Sequence, residues 1–371
     1  MNSKRYFPNL NGIRSVAALL VLFHHIEQAK AALGIPNIYG ISLIKHIGRL
    51  GVGLFFVLSG FLITYLLLQE KLKHSDISTK NFYLRRVFRI WPIYYLIIGL
   101  SYFVFPYIPI FEYPGASENV FTYYYERLAF LALVFPNYAF VIYNLPYWCA
   151  QAWSIGVEEQ FYYLWPWLIK YPRRSILIVL LFLTASAALL YFAMQTVSPT
   201  PAEQMEMVLT FLGQFRIQTM AVGGICAYIV FKNKRNYLDI LYRRDLQIGV
   251  YILTALLLLS GFHFPAFMEV YSILFGIIIL NLASNPDSIL NIDNRFMNFS
   301  GKISYGLYLY HVAVMVPILN LLRDYQPGMS GVAYNLTLYT AVIGISILVA
   351  SLSYEYLEKP LLRYKDERFG R

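Results

Sequence analysis

Residues 9–29 read N-L-N-G-I-R-S-V-A-A-L-L-V-L-F-H-H-I-E-Q-A, an apolar helix pattern long enough to cross most of a bilayer. Three residues break that apolar character: Arg14 near the start, then His24 and His25 near the end. An ionisable group at membrane depth is costly, so it faces a polar cavity or a partner and marks function. Arg14 and His25 are about three turns apart, on one stripe of the helix and roughly 16 Å from each other, with His24 about 100° off that stripe. One helix therefore carries a fixed cation near one membrane face and a titratable imidazole deep on the same side. The alternative is a secretory signal with a processing site among Ala29, Ala31 and Ala32. The core of such a signal rarely runs straight into two histidines.

The rest of the chain repeats the pattern. It has 371 residues, 58% of them hydrophobic and only 13% charged, unlike an ordinary soluble domain. Apolar blocks lie near 9–29, 50–69, 89–108, 127–143, 154–170, 175–196, 207–231, 246–262, 266–283, 303–323 and 333–355. The block at 127–143 is short and interrupted by Pro136 and Asn137. With that block left out and Lys4 and Arg5 placed in the cytoplasm, 23 of the 30 Lys and Arg fall on the inner side. Lys30, Lys45, Arg49, Arg127 and Arg323 fall outside, and Arg14 and Arg216 within spans. Counting 127–143 as a span would reverse the basic segments 232–245, against the positive-inside rule.

The sequence thus predicts an all-α polytopic membrane protein with about ten transmembrane helices, an outer and re-entrant segment over 109–153, and both termini cytoplasmic. No linker between spans is longer than the outer segment, so residues 1–371 are expected to form a single membrane-embedded domain with no appended soluble domain. The net charge of +10 reads as topology and contact with anionic membrane lipids rather than nucleic-acid binding. Cys149 and Cys226 are far apart and lack metal-ligand spacing, so neither a disulfide framework nor a metal site is expected.

Several polar residues inside apolar blocks are candidates for chemistry. Segment 81–92, N-F-Y-L-R-R-V-F-R-I-W-P, places Arg86 and Arg89 on one helical face at the cytoplasmic end of the third span, beside Arg85. Their planar forks suit phosphate, although an anchor for lipid headgroups has the same composition. The second span carries Gly51, Gly53, Ser59 and Gly60. Small residues allow close helix packing, and they could also clear a channel for a thin ligand. Segment 151–166, Q-A-W-S-I-G-V-E-E-Q-F-Y-Y-L-W-P, opens the fifth span at its outer end, with Glu158 and Glu159 inside the apolar edge. A carboxylate there can orient an imidazole or bind an acceptor hydroxyl. Arg216 lies in the seventh span between Gln214 and Gln218, and His311 lies mid-span in I-S-Y-G-L-Y-L-Y-H. Either can be structural. His46, His74 and His263 fall in loops. The outer aromatics Tyr123, Tyr124, Tyr125, Tyr138, Tyr143, Tyr147 and Trp148 read as an interfacial belt or as faces for stacking on sugar rings. No nucleophile elbow, P-loop, zinc motif or dinucleotide fingerprint is present.

Taken together, the Arg-x10-His of Arg14 and His25, G-V-G-L-F-F-V-L-S-G-F-L, the R-x-x-R of Arg86 and Arg89, W-S-I-G-V-E-E-Q-F-Y-Y-L-W-P, I-S-Y-G-L-Y-L-Y-H and L-E-K-P at 357–360 run from end to end of the chain. In that order they resemble acyltransferase family 3. The resemblance implies transfer of an acetyl group from cytosolic acetyl-CoA to a hydroxyl of an extracytoplasmic glycan in the bacterial inner membrane. The acceptor would be an O-antigen, an exopolysaccharide or a lipid-linked oligosaccharide. It makes His25 the catalytic histidine, as base or transient acyl carrier, and Arg14 its partner; Glu158, from its place inside the apolar edge, is a further catalytic candidate. Arg86, Arg89, Arg14 and Ser59 would hold the donor, and Trp153, Ser154, Arg216, Tyr305 and His311 would support substrate. A flippase for a lipid-linked glycan, another acyl donor such as succinyl-CoA, or a non-glycan acceptor stand as alternatives.

Overall fold

The computed structural model describes residue 7 and residues 9–197, 200–261 and 266–369. Lys4, Arg5, His263 and Arg371 lie outside the described residues. Every regular element among those described is helical. In chain order they are α1 (Leu10–Ala32), α2 (Ser42–His74), α3 (Thr79–Phe103), α4 (Ala116–Phe121), α5 (Tyr124–Ala132), α6 (Pro136–Tyr143), α7 (Trp153–Lys170), α8 (Ser175–Val197) and α9 (Pro201–Gln214). There follow α10 (Ile217–Phe231), α11 (Arg235–Leu241), α12 (Arg244–Ser260), α13 (Phe267–Ser284), α14 (Arg295–Lys302), α15 (Ser304–Leu322), α16 (Gly331–Ser353) and α17 (Lys359–Phe369). A π-helical turn, Tyr354–Glu358, joins the last two.

Local chemistry sets several helix starts. The Ser78 side chain accepts from the Asn81 N–H and opens α3. Thr200 and Glu203 form a reciprocal capping box ahead of α9, with Pro201 at its first position, where a missing N–H costs nothing.

Among the described residues, six segments are long and apolar enough to cross a membrane by length and composition: Ser42–His74, Thr79–Tyr107, Pro172–Tyr191, Phe267–Ser284, Ser304–Gly328 and Gly331–Arg368. The chain is a multi-pass membrane protein. Other expected spans fall short for identifiable reasons. The 23 residues of α1 are diluted by Arg14, His24, His25, Glu27 and Lys30. Helices α10 and α12 have only 15 and 17 residues. The apolar run at 207–231 is not one helix but α9 and α10, and Arg216 lies in the non-helical step between them. The run at 127–143 is likewise divided into α5 and α6, with Val134 at a φ of 62° between them. Along α8 the apolar side chains face outward, Ile176, Leu180 and Leu181 among them, as a lipid-facing helix requires.

The chain divides into two compact units. The first comprises residues 1–69, 218–308 and 331–351, and the second residues 70–217, 309–330 and 352–371. In the first unit, Leu54, Val57, Phe61 and Tyr65 of α2 pack with Cys226, Ala227 and Val230 of α10 and with Tyr271, Phe275 and Ile279 of α13. In lipid, apolar burial does not drive helices together, so close van der Waals fit must. Gly60 supplies it: a Cβ there would lie 1.8 Å from the Met220 carbonyl oxygen. In the second unit a smaller core joins Tyr138, Ile142 and Tyr143 of α6 to Leu190 and Met194 of α8 and Phe211 of α9.

Candidate functional site

The first unit holds α1. Its residues can be placed around the helix at 100° per residue, taking Arg14 as zero. Helix α2 covers the side of Ala17 and His24, roughly −60° to −80° on that scale. A Cβ at Gly51 would meet the Ala17 carbonyl oxygen at 2.7 Å, and one at Gly48 the His24 ring at 2.5 Å. Helix α14 covers the side of Ser15, roughly +100°, where Ser15 and Ser300 share a 2.7 Å hydroxyl hydrogen bond. Helix α16 covers the back, where Phe23 stacks on Tyr339. The stripe from Arg14 to His25, at roughly 0° to +20°, lies between the faces that α2 and α14 cover, with Val21 against Gly51 on one side and Asn11 bonded to Asn298 on the other. Its two ends are half-buried, and Ala18 and Val21 beside it are only 2% and 1% exposed, so the stripe faces protein rather than lipid.

Each end of the stripe is held. Arg14 donates from Nη1 to Asn11 Oδ1 at 3.2 Å, and Asn11 in turn donates to Asn298 Oδ1. His25 Nδ1 lies 3.0 Å from the Val21 carbonyl oxygen. A carbonyl only accepts, so the neutral ring carries its proton on Nδ1, and Nε2 is the basic nitrogen. His24 is fixed the same way on the Ile44 carbonyl at 2.9 Å. Its ring packs against Gly48 and meets the His25 ring edge-on, with centroids 5.1 Å apart. The tight fit at Gly48 and Gly51 makes the packing reading of the small α2 residues the correct one there and leaves no room for a thin ligand between α1 and α2 at that level. Ser59 and Tyr305 belong to this unit and are half-buried.

Beyond His25, α1 ends in a buried ion pair that the sequence reading missed. Lys30 Nζ donates to Glu27 Oε1 at 2.6 Å, with the two side chains 2% and 1% exposed, and also to Asn335 Oδ1 at 2.8 Å. Glu27 further accepts from the Tyr339 hydroxyl and, on Oε2, from the Ile38 N–H. Lys30, counted on the outer side of the membrane, is thus enclosed by protein, and so is Arg127, which is 2% exposed and donates to the Tyr143 carbonyl. The i,i+3 spacing of Glu27 and Lys30 was the available signal.

The second unit holds the arginine motif and the glutamates. Helices α3 and α7 run antiparallel, and their register is fixed from one end. Lys170 Nζ reaches Asp76 Oδ2 and the Ile77 carbonyl, both at 2.9 Å. Lys71 Nζ caps the Ile169 carbonyl at 2.7 Å. The Tyr83 hydroxyl donates to the Tyr163 carbonyl at 3.0 Å and accepts from Trp167 Nε1 at 2.8 Å. One turn further along, the Arg86 guanidinium lies over the rings of Phe82 and Tyr162, 5.7 Å from each centroid.

The Tyr162 hydroxyl donates to Glu158, so Glu158 is beside the arginine motif. The sequence placed it at the opposite end of its span. That reading equated depth with distance from the edge of the apolar block, whereas the antiparallel pairing of α3 with α7 sets the level. Arg85 is engaged by Glu70 at 2.9 Å. Arg86 is half-buried and Arg89 exposed. At this level Arg86 Nε is a buried donor without a hydrogen-bond partner, while the Trp91 indole lies against the Glu159 carboxylate.

Other predicted residues lie elsewhere in this unit. Trp153 and Ser154 open α7, where Ser154 Oγ donates to the Gln151 carbonyl at 3.2 Å. Gln151 Nε2 donates to the Leu309 carbonyl at 2.7 Å, tying this turn to α15 two residues before His311, which is 1% exposed. Among the outer aromatics, Trp148, Tyr138 and Tyr143 are 0%, 1% and 5% exposed. They are core rather than stacking platforms. Tyr123 and Tyr125 are exposed. Glu358 and Lys365, which the sequence analysis left without a role, belong to this region too. Both lie within electrostatic reach of Arg89. Among the described residues no group of His, Cys, Asp and Glu is arranged to hold a metal ion. Cys149 and Cys226 are buried free thiols.

Comparison with known proteins follows the same lines. Residues 7–355 match the family 3 acyltransferase domain. Peptidoglycan O-acetyltransferase OatA of Listeria monocytogenes serovar 1/2a is 26% identical over 97% of this chain and 56% of its own length. A Bacillus subtilis (strain 168) protein named "Putative peptidoglycan O-acetyltransferase YrhL" is 25% identical over 99% of this chain and 56% of its own. The chain thus spans about half the length of the curated relatives it matches. No solved structure matches.

Proposed function

The chain belongs to acyltransferase family 3, and from that premise we propose that it is an O-acetyltransferase that modifies a hydroxyl of a cell-envelope glycan. The single observation that carries the reading is the Arg14–His25 stripe: it faces protein, and the Val21 carbonyl leaves His25 Nε2 as the basic nitrogen. The peptidoglycan relatives make a peptidoglycan sugar the first acceptor to try, ahead of an O-antigen or exopolysaccharide. The donor is acetyl-CoA, with its phosphates on Arg86 and Arg89. A bacterial inner-membrane location with ten crossings and both termini in the cytoplasm would give that donor access from inside. The unmatched Arg86 Nε supports a polar ligand in the second unit. A flippase would have no use for a thioester, and the family favours group transfer.

In the proposed reaction His25 Nε2 removes the acceptor hydroxyl proton as that oxygen attacks the thioester carbonyl. The tetrahedral intermediate expels the coenzyme A thiolate, which takes the proton back from the imidazolium. The C–O bond formed replaces the C–S bond broken, and no redox change occurs. Arg14, fixed by Asn11, supplies a constant positive charge on the same stripe. The test is acetyl transfer from acetyl-CoA to a soluble peptidoglycan fragment by purified protein, read by mass spectrometry. His25→Gln is expected to lower the rate by about 10²–10⁴-fold; a near wild-type rate in that variant removes the histidine from the mechanism.

A further inference from the structure

Two basic residues near the start of α2, Lys45 and Arg49, are four positions apart and so share a helical face. Both are exposed, and among the described residues neither side chain takes part in a hydrogen bond or ion pair. Further along the same face come Val52, Phe56, Ile63 and Leu67, all buried. A face enclosed along the rest of its length turns toward protein rather than lipid. The two cations at its head therefore look into an opening of the fold.

That opening is on the side of the Arg14–His25 stripe. Gly48 meets His24, whereas Gly51 meets Val21 and Ala17, so α1 and α2 run antiparallel. Viewed from the N-terminus of α1, the stripe lies roughly 60–100° clockwise from the direction of α2. Viewed from the N-terminus of α2, Lys45 and Arg49 lie roughly 60–100° clockwise from Gly48. Because the second helix is reversed, both offsets fall on one side of the pair. Arg49 is also within electrostatic reach of His24. Tyr39 of the connecting segment is tilted against His24 at 5.6 Å and accepts from Gln28 Nε2 at 3.3 Å, which fills the space above the α1–α2 contact. An acceptor reaching His25 from this end passes Lys45 and Arg49.

The carboxylates of this unit at the same end are engaged elsewhere. Glu27 is enclosed with Lys30, Tyr339 and the Ile38 N–H, and Glu269 accepts from Gln218 Nε2 at 3.4 Å. On the proposed orientation both cations stand on the extracytoplasmic side, where the positive-inside rule does not call for them. An arginine fork matches the two oxygens of a carboxylate, and a lysine adds a mobile point charge.

We propose that the acceptor is an acidic sugar, its carboxylate held by Arg49 and Lys45 while its hydroxyl is presented to His25. This rests on the O-acetyltransferase reading above and narrows its substrate class. Acetyl transfer by the purified full chain is followed at saturating acetyl-CoA with two acceptors. One is a peptide-free muramoyl disaccharide with its carboxylate free, and the other is the same disaccharide with that group converted to the methyl amide. Wild type should have a KM about tenfold lower for the acid, a gap that narrows at high salt. Arg49→Gln should raise the KM for the acid about tenfold with kcat little changed, and should not affect the amide. Lys45→Met should act in the same direction, Arg49→Lys should recover part of the loss, and Arg235→Gln, exposed on α11, should match wild type. Equal KM values for the two acceptors in wild type overturn the proposal and leave the transferase reading standing. So does a loss in Arg49→Gln that falls on both acceptors alike, or one seen only in vesicles containing phosphatidylglycerol, which assigns the cations to lipid. Transfer to neither acceptor removes the glycan-acceptor reading, and the proposal with it.

Discussion

Replacing Glu27 by Gln tests how the His25 end of α1 is held. The carboxylate receives donors on both oxygens: Lys30 Nζ and the Tyr339 hydroxyl on Oε1, and the Ile38 N–H on Oε2. An amide has one acceptor end and one donor end. In either orientation, the introduced amide therefore turns an N–H₂ toward a donor. The change also leaves the Lys30 ammonium, 2% exposed, with Asn335 as its neutral partner. Breaking a buried pair from one side costs about 3–5 kcal/mol, because the remaining charge is stranded. With unfolding entropy near 2.1 cal/mol/K per residue, a chain of 371 residues should lose about 4–6 °C in Tm.

The assay is thermal unfolding of the detergent-solubilised protein for Glu27→Gln, Lys30→Met and the double variant. Removing both charges leaves none stranded, so the double variant should be less destabilised than the sum of the singles by about 1 kcal/mol or more. A Glu27→Gln protein melting within about 1 °C of wild type would refute the reasoning, as would strict additivity in the cycle.

Two further outcomes follow from other contacts. Gly60→Ala places a methyl group 1.8 Å from the Met220 carbonyl oxygen, so α2 and α10 must separate, at a cost of about 1–3 kcal/mol or more. Gly99→Ala, whose Cβ meets nothing within 4 Å, should melt with wild type; equal Tm values for the two variants would contradict the close approach. At the α2–α3 connection, the hydrogen bond from Lys170 holds the exposed Asp76 carboxyl below its usual range. The contribution of that ion pair is complete above the ordinary carboxylate pKa and disappears as pH falls through the lower folded value. The protection of residues 75–78 from hydrogen exchange, taken relative to the intrinsic rate at each pH, should therefore fall on acidification in wild type, whereas Asp76→Asn should be weakly protected independently of that titration. An identical acid response in both proteins would remove Asp76 as its source.

Periodicity made some of the molecule readable. The first helix, expected over 9–29, spans Leu10–Ala32, and the stripe shared by Arg14 and His25 follows from 3.6 residues per turn alone. The division of 207–231 at Arg216 was not readable, because hydropathy over a window averages across a two-residue step and no proline marks it. Nor was the level of Glu158. Which residues of two helices lie side by side depends on register, and here register is written in contacts such as Tyr83 with Tyr163, 80 positions apart. A block edge locates where apolar composition ends, not where the chain lies against its neighbour.

The buried charges show the same limit from the other side. Counting Lys30 and Arg127 as outer-face residues assumed that a charge near the end of an apolar block sits in water. Both are 2% exposed, because the protein receives them from within: Lys30 by Glu27 and by Asn335, 305 positions away, and Arg127 by the Tyr143 carbonyl, 16 positions away. A membrane protein has two ways to keep a charge near the end of a span, by solvating it or by satisfying every one of its hydrogen bonds from within. Composition cannot distinguish them, but local spacing sometimes can. An acid and a base three residues apart on a helix already form a neutral unit, and such a pair carries no weight in a count of net positive charge across the membrane.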